Sequence, residues 1–136
     1  QKMMILAESP LKKYEEMAKN EKRWEVFNLD KKADILFVAY GTVARIIKTA
    51  IEVLKEKGVN AALFRPITLF PFPGEALEET AAKCKHVFVS ELSTGQMIED
   101  VKYHLGKERK VHFYGRVGGM VMTPEELVEE TLKIVK

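Results

Sequence analysis

Cys84 is the only cysteine in 136 residues, which excludes an intrachain disulfide and a cysteine-rich metal centre. Long apolar runs are also missing. The longest, such as Ile35 to Tyr40, fall far short of the roughly 20 residues that a membrane-spanning helix needs, so no membrane association is expected. No secretory leader is visible, because the apolar stretch from Met3 to Ala7 is brief and acidic sequence follows it. Charge of one sign is not in excess either: 22 Lys and Arg against 20 Asp and Glu leave a net charge of +2. Lys12-Lys13, Lys31-Lys32 and the Lys107 to Lys110 cluster are interleaved with acids and read as solvated faces, so nucleic acid is not an expected partner. The start at Gln1 rather than Met suggests a truncated chain or a fragment, with a native start at Gln1 left open, and the lone cysteine fits a reduced, cytoplasmic setting.

What is present is the composition of a core-forming domain, 46% apolar and 31% charged. Ser9-Pro10 has the form of a helix start, and Leu11, Tyr14, Met17 and Ala18 recur at helical spacing, predicting a helix to about Lys22. Residues 1–22 are therefore expected to be a helix or linker to something upstream, and residues 23–136 the domain proper. Trp24 and Val26 alternate with Glu25 and Phe27, as in a short edge strand with one wetter face. From Asp34 onward, strands and helices alternate. Strands are predicted at Ile35 to Tyr40, Val59 to Phe64, His86 to Ser90 and Val111 to Tyr114. Helices are predicted after Gly41-Thr42, from Gly74 to Lys83, from Gln96 to Leu105 and from Thr123-Pro124-Glu125-Glu126 onward. Gly58 is placed as a helix C-cap. This order predicts a three-layer α/β/α sandwich with a five-stranded, mostly parallel sheet.

In such a sheet, polar groups gather at the carboxyl ends of the strands. Gly41-Thr42 lies where a strand feeds a helix, so its backbone amides suit an anion; equally, Gly permits a tight turn and Thr caps a helix. Glu91, Ser93, Thr94, Gly95 and Gln96 occupy the equivalent place after a later strand. Glu91 there either orients a ligand or partner backbone, or bonds loop amides beside a Ser93 or Thr94 cap. Arg65 follows a strand and is fixed by Pro66. Arg116 lies in Gly115-Arg116-Val117-Gly118-Gly119, where the glycines allow a close backbone approach. Two arginines and a glutamate at one edge favour an interface over a small ligand. His86, His104 and His112 show no metal-ligand spacing with one another or with Cys84 and read as structural. Cys84 is flanked by Lys83 and Lys85, which could lower its pKa. It lacks a base or a second cysteine, so it reads as an inert thiol. No catalytic constellation and no metal site stand out.

Four motifs then occur in order: Val38-Ala39-Tyr40-Gly41-Thr42; Phe64-Arg65-Pro66 with Phe70-Pro71-Phe72-Pro73; Val89-Ser90-Glu91 with Ser93-Thr94-Gly95-Gln96; and Tyr114-Gly115-Arg116 with Gly118-Gly119 and Thr123-Pro124-Glu125-Glu126. In this order they resemble the carboxyl-terminal region of the alpha subunit of 2-oxoacid:ferredoxin oxidoreductases, over roughly residues 23 to 136. The resemblance implies a fold like the transketolase carboxyl-terminal domain, with the Trp24 to Asn28 strand antiparallel to the rest. It implies part of an enzyme that decarboxylates a 2-oxoacid, forms acyl-coenzyme A and reduces ferredoxin. Thiamine diphosphate, Mg and iron–sulfur clusters are then expected in the full complex, with none bound by this chain. The implied partners are an upstream pyrimidine-binding domain of the same subunit, beta and gamma/delta-type subunits and, indirectly, ferredoxin. The implied role is non-catalytic assembly. The competing expectation is a free-standing α/β module that reads a phosphate-bearing ligand through Gly41-Thr42, Arg65 and Arg116.

Overall fold

The structure is a computed structural model and describes residues 23–67, 72–92, 96–115 and 122–135, with Gln96 described in its backbone alone. The helix expected before Lys22 lies outside these residues. Five strands, β1 (Trp24–Phe27), β2 (Ala33–Val38), β3 (Ala61–Pro66), β4 (Cys84–Glu91) and β5 (Val111–Gly115), form one sheet in the order β1-β3-β2-β4-β5. Four helices complete the described residues: α1 (Gly41–Glu56), α2 (Gly74–Ala81), α3 (Gln96–Leu105) and α4 (Pro124–Val135). β1 runs antiparallel to β3, pairing Trp24 with Pro66 and Val26 with Phe64. Every other neighbouring pair is parallel. The expected sandwich and its antiparallel edge strand are both observed.

β2 carries an unbroken apolar run because helices cover both of its faces. Ile35 and Phe37 point to one side, where Ile47, Ile51 and Leu54 of α1 meet Leu127 and Val128 of α4. Leu36 and Val38 point to the other, where Leu77 of α2 meets Met97, Ile98 and Val101 of α3. Phe37 and Phe88 pack with ring centroids 5.3 Å apart and are almost wholly enclosed. Burying each such ring stabilises the fold by about 2–3 kcal/mol.

Local chemistry sets the helix ends. Gly58 sits at a φ of +84°, after which Gly58 N–H donates to the Lys55 carbonyl at 3.1 Å and Val59 N–H to Leu54 at 2.9 Å. This paired closure satisfies carbonyls at the end of α1, as the placement of Gly58 predicts. At the start of α4, Glu126 N–H donates to Thr123 Oγ1 at 3.2 Å, and Thr123 N–H donates to Glu126 Oε1 at 3.0 Å. That is a reciprocal capping box.

Candidate functional site

β2 and β4 are parallel neighbours, with Val38 opposite Val89. The chain leaves β2 for α1 on one face of the sheet and leaves β4 for α3 on the other. Adjacent strands whose helices diverge in this way open a crevice beyond their carboxyl ends. Gly41 and Thr42 stand on one side of this crevice, and Glu91 on the other.

Glu91 is 1% exposed. One carboxylate oxygen accepts the Met97 amide at 3.2 Å and the other accepts the Ile98 amide at 3.1 Å. These are among the first amides of α3, which have no partner within their own helix, and the positive end of the helix dipole favours a negative charge there. Glu91 therefore occupies the position that an external anion would take at this helix, and ties the end of β4 to α3. Of the two readings of Glu91, amide bonding is observed, although the amides belong to the helix rather than the loop. Ser93, Thr94 and Gly95 lie outside the described residues. Gln96 is the first residue of α3.

Across the crevice, Gly41 adopts a φ of +63°, a region that residues bearing a Cβ rarely enter. Thr42 does not cap α1. Tyr40 holds the N-cap position in an extended conformation, and no side chain bonds the helix amides. Capping needs the half-in position, whereas Thr42 is already the second helical residue and is exposed. No acidic side chain stands in the first turn of α1, whereas α3 has Glu99 in its first turn and Glu91 on its first amides.

Arg65 belongs to a different part of the sheet. β3 is separated from β4 by β2, and Arg65 Nη1 pairs with Glu25 Oε1 at 2.9 Å across the β1–β3 ladder. The structure thus joins Arg65 to the antiparallel edge rather than to Glu91. Arg116, Gly118 and Gly119 lie outside the described residues. Gly115 is described, and a Cβ there would come within 2.6 Å of the Phe113 ring. This first glycine of the motif makes room for an aromatic ring of its own strand.

Several side chains have roles that local sequence patterns did not reveal. The Ser90 hydroxyl is fully buried and has no hydrogen-bond partner among the described residues. Arg109, expected on a solvated face, is half-buried and donates through Nη2 to the carbonyls of Cys84 at 2.6 Å and Ala81 at 3.1 Å. Its basic cluster hid a residue that holds α2 to β4. His104 stacks on Phe72 with ring centroids 5.6 Å apart, and its ring fills the space where a Cβ of Gly74 would project. His86 and His112 meet edge-on at 6.0 Å. Burial, then Lys110 and His86, lower the pKa of His112. Cys84 is buried, and its thiol donates to the Thr80 carbonyl at 3.5 Å. Burial pushes that thiol up to about 11 and outweighs the opposing pull of Arg109 and Lys83. Among the described residues, no group of three His, Cys, Asp or Glu could hold a metal ion. No described helix is long and apolar enough to cross a membrane.

Residues 33–127 match the family described as pyruvate:ferredoxin oxidoreductase core domain II. The ketoisovalerate oxidoreductase subunit VorB of Methanothermobacter thermautotrophicus is 37% identical over 123 residues, which are 90% of this chain and 34% of VorB. The chain thus spans about a third of the length of that curated relative. Among solved structures, the 2-oxoglutarate:ferredoxin oxidoreductase of Magnetococcus marinus superposes with a TM-score of 0.81 at 24% identity. The superposition covers 93% of this chain and 22% of that one. A split-gene transketolase superposes with a TM-score of 0.68 at 22% identity, over 82% of this chain and 41% of that one. At these identities the two superpositions establish the fold.

Proposed function

Since this chain belongs to the pyruvate:ferredoxin oxidoreductase core domain II family, we propose that it is a non-catalytic assembly domain of the alpha subunit of a 2-oxoacid:ferredoxin oxidoreductase. The observation that carries this reading is that the Met97 and Ile98 amides both donate to the Glu91 carboxylate. The one buried carboxylate among the described residues is engaged in joining β4 to α3, so the crevice supports the fold at the point where such sheets otherwise seat ligands. Pyruvate, ketoisovalerate and 2-oxoglutarate all occur in the names of the family and its relatives. The proposed substrate class is accordingly a 2-oxoacid, acted on by the whole enzyme, with acyl-coenzyme A formed and ferredoxin reduced.

The cofactors of such an enzyme are assigned to other parts of it. Iron–sulfur clusters need several thiolates, and the described residues do not fit one. Cys84 is a single buried thiol, engaged with the Thr80 carbonyl and with its pKa raised to about 11. We assign thiamine diphosphate and Mg to the upstream pyrimidine-binding domain and a beta-type subunit, and the clusters to gamma/delta-type subunits, all in the cytoplasm.

The test is 2-oxoacid-dependent reduction of a viologen dye with thiamine diphosphate, Mg²⁺ and coenzyme A supplied. No turnover is expected from this chain alone, and turnover is expected from the complex isolated with its companion subunits. Turnover by the isolated chain would overturn the reading. A second reading, a free-standing module for a phosphate-bearing ligand, is favoured by the uncapped amino end of α1 at Gly41-Thr42. Calorimetry with coenzyme A and with inorganic phosphate distinguishes the two, since the assembly reading expects no heat from either.

A further inference from the structure

A cleft of about 430 Å³ opens at the amino ends of β2 and β4, at the opposite end of the sheet from Glu91. Lys32, Lys83 and Lys85 line it together with Asp34 and Asn60, and all three lysines are exposed. The Ala33 N–H donates to the Lys83 carbonyl at 3.1 Å, which brings Lys32 and Lys83 to the same end of adjacent strands. Lys85 stands beside Asp34, between the register pairs Ala33–Cys84 and Ile35–His86. Like charges gathered on neighbouring strands cost stability, and none of the three lysines has an ion pair with a described residue. Asp34 is the only carboxylate in the lining, and its Oδ2 already accepts the Asn60 amide at 2.9 Å. The carbonyls at the end of α2 offer no outlet, since Arg109 holds those of Ala81 and Cys84. The positive field reaches the wall of the cleft at Cys84. Burial raises the pKa of that thiol, and Arg109 and Lys83 pull against it.

We propose that this cleft docks an extended acidic segment of a partner protein, whose Asp and Glu carboxylates pair with Lys32, Lys83 and Lys85. The inference concerns a surface remote from the strand-end crevice and does not depend on the oxidoreductase reading. Backbone chemistry decides between a peptide and a phosphate. Phosphate seats are built from free amides, at a helix amino end or in a nest. Here the amides of Ala33, Asp34, Asn60, Ala82 and Lys83 are all engaged within the chain. The helix that borders the cleft, α2, does so with its carboxyl end, the negative pole of its dipole. What remains is three ammonium groups on flexible stems, point charges without a fixed fork. They suit carboxylates spaced along a peptide, each meeting one lysine. The lining holds no aromatic side chain, so a nucleotide base has nothing to stack on.

The test uses a rhodamine-labelled hexaglutamate peptide, titrated with the full chain and followed by fluorescence anisotropy. The expected result is binding at about 20 mM salt that weakens steeply toward about 200 mM, as the Debye length shrinks. Lys83→Gln with Lys85→Gln should weaken it about tenfold, the effect of losing two exposed ion pairs. Arg45→Gln with Lys102→Gln removes the same charge from exposed positions on α1 and α3, outside the cleft lining. That variant should stay within about twofold of the parent. All four altered residues are exposed, and far-ultraviolet circular dichroism checks that each variant is folded. Equal weakening by the two double variants would overturn the proposal, because the attraction would then belong to net charge rather than to the cleft. So would the absence of binding at low salt, or displacement of the peptide by equimolar pyrophosphate, because the ligand would then be a phosphate.

Discussion

Glu91 at the end of β4 reaches across to α3 and accepts the amide of Ile98 at 3.1 Å, while its second oxygen accepts that of Met97 at 3.2 Å. Removing this carboxylate leaves two buried amides without a partner. Glu91→Ala is therefore expected to cost about 2–3 kcal/mol, and Glu91→Gln, which keeps one acceptor, about 1 kcal/mol. Urea unfolding monitored by circular dichroism reads both. Equal stability of Glu91→Ala and the parent would show that the bond contributes nothing.

Gly74 and His104 form a lock between α2 and α3, with the imidazole lying where a Cβ of Gly74 would stand and stacked on Phe72. Gly74→Ala is expected to destabilise by about 1–3 kcal/mol through overpacking. In a double-mutant cycle, Gly74→Ala with His104→Ala should cost less than the sum of the two single changes, because removing the ring empties the contested space. Strict additivity would refute the contact.

Ser90 presents a buried hydroxyl with no hydrogen-bond partner among the described residues, on the sheet face shared with Phe88. An unsatisfied polar group in that position subtracts from stability. Ser90→Ala is expected to leave the fold unharmed or to stabilise it by up to about 1 kcal/mol. A rise or no change in melting temperature agrees, and a clear fall would reveal a partner for the hydroxyl.

The Cys84 thiol links the core to pH. Its folded pKa, about 11, lies above its ordinary value of 9.0. The folded state therefore holds its proton more tightly. The corresponding stability is fully present below pH 9 and is lost as pH rises from there through about 11. Across that window the parent should lose stability relative to Cys84→Ala, as measured by urea unfolding at each pH. A thiol-reactive probe at pH 8 should modify Cys84 slowly in the folded chain and rapidly once urea is added.

The elements were legible in the sequence wherever local chemistry decides them. Gly58 ends a helix because φ is positive there, Thr123 and Glu126 cap each other three residues apart, and the apolar run of β2 needs two covered faces. The strand-end polar cluster was legible as a place but not as a set of bonds. Thr42 looked like a cap and lies one residue too far inside the helix. Arg65 looked like a neighbour of Glu91, yet it faces Glu25, which is 40 residues away in sequence and directly across the ladder. Arg109 was hidden in a run of charges although it bonds two carbonyls beneath α2. Each of these partnerships depends on strand order, which composition and periodicity do not encode.

That strand order also has a consequence for synthesis of the chain. β2 is the central strand, and its two neighbours are made at different times: β3 after one crossover helix, β4 only after a second. Until residues 84–91 have emerged from the ribosome, β2 has an open edge and a half-covered apolar run. Parallel pairings between distant segments close slowly and expose such surface in the meantime. The stretch in which this chain most needs protection from other nascent chains therefore runs from the completion of β3 to the arrival of Glu91.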